Sequence, residues 1–408
     1  MSISSPTVSA PARVVPARVV PDLVEPERVA PQPPVTQRAG GARTALPPAG
    51  PVWFGSVMGT GILATLLGRE ASHSTALLVP ATALLAVGVL LLLGLTAGFA
   101  ARVVRDRAAF TSTLRDLAVL PTWGTVAMGI LSIGSAAMTV LPQLGARSST
   151  GGPAGWVVAI GAGLWVTGTT LGVVTAFGFG AVVLGRRVGS PVPAWGLPIV
   201  PPMVSATTGA ALVPQLHTPI AQLTMLAATV ACFFLSLFLG GLVFAISYHH
   251  HWRVSTLPIS ASASAWIPLG VVGQSMAAAQ VIAAQSAPLL TPMTAAAAHD
   301  LADAYGYVML ALSLPVMAYA VSMTVRGFRA RMPFTPGWWA LTFPLGTLAL
   351  GTRMLGDSSG HALVGDVGLA AIAVLGATWL LCASASLRAV VPVNTSRSGG
   401  CSGKPRST

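Results

Sequence analysis

The sequence predicts an all-α integral membrane protein of ten transmembrane helices, arranged as five helical hairpins around a central pore. Three observations carry this. Of the 408 residues, 53% are hydrophobic and only 8% are charged, against roughly 25% charged in soluble domains. About ten long apolar stretches run between Pro51 and Leu387. The basic residues crowd into alternate connections between them, the asymmetry that fixes membrane orientation.

The elements follow in order. Residues 1–50 form a Pro/Arg-rich tail in which Pro11, Pro16, Pro21, Pro26 and Pro31 recur every five residues. It has no apolar core followed by a small-residue cleavage site, so it does not read as a signal peptide. Such a segment buries too little surface to fold, and a disordered cytoplasmic tail is expected. Its Arg13, Arg18, Arg28, Arg38 and Arg43 suit contact with anionic lipid. Residues 51–389 form the transmembrane domain. A helix needs about 20 apolar residues to cross about 30 Å of hydrocarbon. The expected spans are 52–68, 76–100, 118–141, 155–185, 197–214, 219–247, 265–287, 301–325, 337–354 and 362–387. Residues 390–408 form a second disordered cytoplasmic tail. With the N-terminus inside, only Arg69, Arg147 and Arg353 of the 22 basic residues fall outside. Both termini are therefore expected in the cytoplasm of a cell with this chain in its inner or plasma membrane.

The odd-numbered spans share a character. They read PVWFGSVMGTGILA, LPTWGTVAMGILSIG, LPIVPPMVSATTGAAL, WIPLGVVGQSMAAA and WWALTFPLGTLALGT. Each opens near a proline and continues with Gly, Ser, Thr and Ala. Pro51, Pro121, Pro198, Pro268 and Pro344 are separated by 70, 77, 70 and 76 residues, about one helical hairpin apart. Proline and glycine weaken a helix by about 3 and 1 kcal/mol relative to alanine. Irregular backbone in a membrane is tolerated where it is buried in protein or lines an aqueous cavity. Five irregular helices are thus expected to surround an axis, with five ordinary helices facing lipid. Small residues that only allow close packing, as in Gly55-xxx-Gly59 and Gly168-xxx-Gly172, are the alternative.

The expected lining is uncharged. On the first span it comprises Ser56, Gly59, Thr60 and Gly61; on the third, Thr125 and Ser132, with Thr122 at its start. The fifth supplies Ser205 and Thr208, with Thr207 between them; the seventh supplies Ser275; the ninth supplies Pro344 and Thr347, with Thr342 before them. No Asp or Glu lies mid-span, which argues against a cation pathway or proton relay. Hydroxyls, freed backbone N–H groups and helix N-termini suit a small inorganic or organic anion. Cytoplasmic arginines would concentrate anions at the inner mouth. A small neutral solute fits the same lining.

Other features are weighed against this. The net charge of +12 is spread through short loops rather than one face, so nucleic acid is not an expected partner. Cys232, Cys382 and Cys401 imply no disulfide framework. His249, His250 and His251 read as a solvated loop or, alternatively, a metal site. Asp300 and Asp303, beside His299, either cap a helix or hold a divalent ion for a membrane enzyme. Arg353 and Asp357 form a surface ion pair, or Arg353 draws anions to the outer mouth. No cofactor, resident metal or enzymatic activity is expected.

WFGSVMGTGILA and the paired tryptophans before Phe-Pro in WWALTFPLGTLALGT resemble the tellurite-resistance and dicarboxylate transporter family. That family is related to voltage-dependent and slow-type anion channels and includes fungal malate permeases and sulfite exporters. The resemblance covers about residues 50–390. It implies five tilted hairpins around a pore in each subunit of a homotrimer. It also implies that Phe343, which matches a pore-blocking phenylalanine of the ninth helix, is an apolar gate. A proton-coupled C4-dicarboxylate carrier and a sulfite or tellurite efflux protein are the alternatives within the family.

Overall fold

The computed structural model describes residues 46–149, 151–185 and 189–390. Apart from residues 46–50 and Val390, the two tails lie outside the described residues, as do Arg186, Arg187 and Cys401. In chain order the α-helices are α1 (Gly55–Glu70), α2 (Leu78–Arg105), α3 (Ala108–Arg115), α4 (Trp123–Val140), α5 (Gly155–Gly185) and α6 (Val200–Leu212). They continue with α7 (Pro219–Arg253), α8 (Ile267–Ser286), α9 (Pro292–Arg329), α10 (Phe343–Ser359) and α11 (Ala362–Val390). The described residues contain no strand beyond one isolated bridge, Arg147 to Pro153.

Nine helical segments among the described residues are long and apolar enough to cross a membrane. The segment expected at 337–354 is not one of them. It is divided at Thr342 into a 3-10 turn, Pro336–Leu341, and the 17-residue α10. Thr342 has no side-chain cap hydrogen bond to the next helix, and Pro344 removes a backbone donor from the first turn of α10. The shortening is local; α10 is still buried at twelve of its residues.

Length and burial separate two kinds of helix. Helices α1, α4, α6, α8 and α10 have 16, 18, 13, 20 and 17 residues, whereas α2, α5, α7, α9 and α11 have 28, 31, 35, 38 and 29. In the most apolar windows of the first four short helices with their flanking turns, 72–89% of residues are buried; in the long helices the share is 11–33%. A helix buried all round needs an apolar sequence with small residues on every face, which is what the Gly-, Ala- and Ser-rich short helices have.

The short helices form a closed inner ring. Helix α1 packs on α4, α4 on α6, α6 on α8 and α8 on α10, and α10 returns to α1. Each long helix packs on the short helix before it: α2 on α1, α5 on α4, α7 on α6, α9 on α8 and α11 on α10. The tightest seam is between α8 and α10. A Cβ at Gly273 would collide with the amide of Leu348, and one at Gly351 would collide with the carbonyl of Gly273. Glycine at both points lets the two backbones touch.

Indole N–H groups pin the two layers together, since a buried indole donor needs a partner. Trp379 on α11 donates to Thr60 Oγ1 at 2.9 Å, and Trp165 on α5 donates to the Ser205 carbonyl at 2.9 Å. Trp266, before α8, donates to Thr324 on α9 at 2.7 Å. Irregularity is not confined to the inner ring: Pro315 sits inside α9, on its exposed side.

Candidate functional site

A 3-10 turn precedes each inner helix: Pro51–Trp53, Leu120–Thr122, Pro193–Gly196, Ile259–Trp266 and Pro336–Leu341. The five marker prolines lie in these turns, in the link before α6, or at the second residue of α8 and α10. This matches the expectation that each of these spans opens near a proline. At a helix start the missing N–H is one that lacks an intrahelical partner anyway, so proline costs little there.

All five entries border one cavity of about 520 Å³. Gly55 and Met58 line it from α1, Pro121, Thr122 and Thr125 from the start of α4, and Trp195 and Leu197 from the approach to α6. Ser264 lines it before α8 and Ile267 at the first residue of α8, and Pro336, Trp339 and Ala340 line it before α10. The described lining is largely apolar and carries no charged side chain. The five inner helices therefore begin at or near one space, and the positive ends of their dipoles favour negative charge there.

The cavity lining stops at Ala340, three residues before Phe343. Phe343 is 2% exposed and belongs to the continuous apolar core. Beside it, α6, α8 and α10 converge: a Cβ at Gly270 would sit 3.9 Å from both Pro344 and Val200. The helices α6, α8 and α10 thus close on one another at Val200, Gly270 and Pro344.

The hydroxyls expected in a lining are divided between several tasks. Thr125 borders the cavity and donates to the Pro51 carbonyl at 3.0 Å, tying α4 to the entry of α1. Ser56 donates to the Trp53 carbonyl at 2.7 Å. Thr60 faces the outer ring, where it accepts from Trp379. Ser205 likewise accepts from Thr169 on α5 at 2.8 Å. Ser275 donates within its own helix, to Val272. Thr347 donates to the Pro344 carbonyl at 2.9 Å. Thr208 lines a separate 240 Å³ pocket between α4, α5 and α6. Gly59 packs under Thr342 and Trp339, and Gly61 packs against Ser132 of α4. A helix wheel drawn from one sequence cannot give the rotation of each helix about its axis, so it cannot separate lumen from seam.

Two groups escaped the sequence reading. Gln274 on α8 is 2% exposed and donates from Nε2 to Thr207 Oγ1 on α6 at 2.8 Å. It was visible as an amide within an otherwise Gly, Ala and Ser stretch. Glu70, 9% exposed, accepts from Arg353 at 2.8 Å and 3.2 Å. Asp357, the expected partner of Arg353, is more distant at 3.8 Å. Nothing in local spacing signals a pair separated by 283 positions.

The metal alternatives have other occupations. Asp303 accepts from Gln280 at 2.9 Å and from Ser358 at 2.6 Å, and His299 lies 3.1 Å from the same Ser358 hydroxyl. His250 and His251 both pair with Ser255, and His249 is exposed. Among the described residues no group of three or more His, Cys, Asp or Glu side chains is placed to hold a metal.

The short helices thus form a buried ring entered through turns that face one uncharged cavity. The family model described as voltage-dependent anion channel matches residues 49–387. The chain belongs to the voltage-dependent anion channel family. It is a multi-pass membrane protein, and its function is anion transport. Curated relatives agree. The sulfite efflux pump SSU1 of Arthroderma otae is 24% identical over 341 residues, covering 81% of this chain and 88% of the relative. The sulfite efflux pump SSU1 of Trichophyton rubrum is 24% identical over 340 residues, with the same coverage. The matched region of the family model contains every inner and outer helix as far as Leu387.

Proposed function

We propose that this protein carries small anions through the centre of the inner ring, in a path of ten membrane helices built as five hairpins. α10 supplies the tenth crossing together with its 3-10 lead-in. The observation that carries this reading is the cavity bordered by all five inner-helix entries, with Trp339 and Ala340 lining it just before Phe343 in the chain. Phe343 is the gate, an apolar plug that excludes hydrated ions until it rotates. Thr125 and the positive dipole ends of the inner helices meet the anion first; Ser132, Pro344 and Thr347 lie deeper.

The cavity end faces the cytoplasm, because Arg105, Arg107, Arg115, Arg253, Arg329 and Arg331 are exposed on the connections at that end. Both termini are cytoplasmic, the membrane is the cell membrane, and three chains associate with one path each. The protein is a transporter and not an enzyme.

Sulfite in its singly or doubly charged form is the favoured cargo, since the similar fungal proteins are named sulfite efflux pumps. Transport is passive. The buried carboxylate of the inner ring, Glu70, is held by Arg353 rather than free to relay protons. Purified protein in liposomes tests this. Sulfite efflux should follow the anion's own gradient and persist when a pH gradient is collapsed. Efflux that requires an imposed proton gradient favours the carrier alternative.

A further inference from the structure

Beyond the gate, two buried amides of α8, Gln274 and Gln280, have hydrogen-bonding capacity that the fold does not use. Gln274 is 2% exposed, and its Nε2 donates one hydrogen to Thr207 Oγ1 at 2.8 Å. Its Oε1 is buried and has no partner. Buried polar atoms seldom lack one, and each exception asks for an explanation. A terminal amide carries two N–H donors and an acceptor oxygen. After the Thr207 bond, Gln274 still has one N–H and the whole of Oε1.

Its position is set by Gly270, four residues earlier on the same face of α8. A Cβ there would lie equally close to Pro344 of α10 and Val200 of α6, the two ring neighbours of α8. That direction points between the neighbours, toward the ring interior. Four residues of α8 advance roughly 6 Å and the seven from Val200 to Thr207 roughly 10 Å, at about 1.5 Å each. The Gln274–Thr207 pair therefore stands one to two turns past Phe343, toward the ends of the inner helices opposite the cavity. Gln280, further along α8, also keeps a buried Oε1 without a partner, but its amide reaches out of the ring to Asp303 on α9, so the two amides differ in direction.

We infer that the Gln274 amide, held in orientation by Thr207, is a selectivity site in the anion path that reads a singly protonated oxyanion. Such an ion accepts the free N–H through one oxygen and donates its own O–H to Oε1. A halide or a fully deprotonated oxyanion can accept but cannot donate, so it leaves Oε1 unpaired. Discrimination of this kind is strong, because the penalty falls on a buried polar group of the site. No bond is made or broken; the anion passes unchanged. The inference rests on the reading of the inner ring as the path.

The test uses full-length protein in liposomes, with Phe343→Ala as the background so that flux past the gate is measurable. Hydrogensulfite and chloride fluxes are compared at a pH where the monoanion predominates. Phe343→Ala should raise both fluxes and favour hydrogensulfite. Adding Gln274→Met, which keeps the length and removes the amide, should lower the hydrogensulfite-to-chloride ratio at least about tenfold. Thr207→Val should lower it in the same direction, and Thr207→Ser should retain it. These substitutions stand in place of Gln274→Met should that variant fail to fold. A raised flux in Phe343→Ala with an unchanged ratio in the Gln274 and Thr207 variants overturns the selectivity site and leaves the path intact. No rise in flux in Phe343→Ala overturns the path reading itself.

Discussion

Arg353 near the end of α10 grips Glu70 at the end of α1 through two hydrogen bonds, Nε to Oε1 at 2.8 Å and Nη2 to Oε2 at 3.2 Å. The last inner helix is thereby tied to the first, across a seam that other contacts hold less extensively than the α8–α10 seam. The two side chains are only 13% and 12% exposed, so the pair is shielded from salt and from water. Gly365 and Gly368 of α11 make the room that the arginine stem occupies.

Removing one partner of this pair leaves a charge with poor solvation. Glu70→Gln or Arg353→Met should each destabilise the fold by about 3 kcal/mol. The double substitution should cost less than the two single effects added together, because neither charge is then stranded. Thermal unfolding in detergent, read as a double-mutant cycle, measures the coupling; additive effects would mean that the pair does not close the ring.

The α8–α10 seam should tolerate no added carbon. Gly273→Ala puts a methyl against backbone that cannot move aside, and it should cost more than the roughly 1–3 kcal/mol usual for overpacking. Gly178→Ala on the exposed face of α5, with nothing within 4 Å, should be neutral or stabilising by up to about 1 kcal/mol. Comparing the melting temperatures and yields of the two variants checks the contrast.

Rotation of α1 about its axis can be read chemically. Met58 borders the cavity, whereas Thr60 faces Trp379 on α11. In a Cys401→Ser background, where Cys232 and Cys382 are buried, Met58→Cys should react with a charged thiol reagent applied from the cytoplasmic side. Thr60→Cys should stay unmodified under the same conditions. Equal labelling of both would contradict the placement of α1.

The loss of an inner-to-outer pin should be modest. Trp379→Phe removes the donor to Thr60 and keeps most of the ring volume, so a cost of about 1 kcal/mol is expected. Detergent melting curves measure it. Anion flux per folded protein should remain unchanged, because the bond lies outside the proposed path.

Much of this fold was legible because a membrane writes itself into composition. The span expected at 155–185 coincides with α5, Gly155–Gly185, and the segment expected to start at 219 begins at Pro219. The short stretches that open near a proline and continue with Gly, Ser, Thr and Ala anticipated which helices are enclosed, although glycine alone did not, for only 22% of the most apolar window of the glycine-rich α5 is buried. Helix rotation was not legible. Ser205 and Thr60 belong to the same small-residue pattern as Thr125, yet Thr125 borders the cavity and the other two bind the outer layer. Long-range partners were also hidden: Glu70 with Arg353, and Thr207 with Gln274, meet only after the ring closes. The place of the prolines was legible, for their spacing marked the repeat and each stood near the opening of its span.

The central claim is that an anion path runs through the inner ring and is shut by the side chain of Phe343. Recording from purified protein in a planar bilayer, with chloride and sulfite salts in turn, tests it most directly. Phe343→Ala should give a large anion-selective current where the native chain gives little, with expression and melting temperature comparable between the two. A native-like, near-zero current from well-folded Phe343→Ala protein would contradict the account.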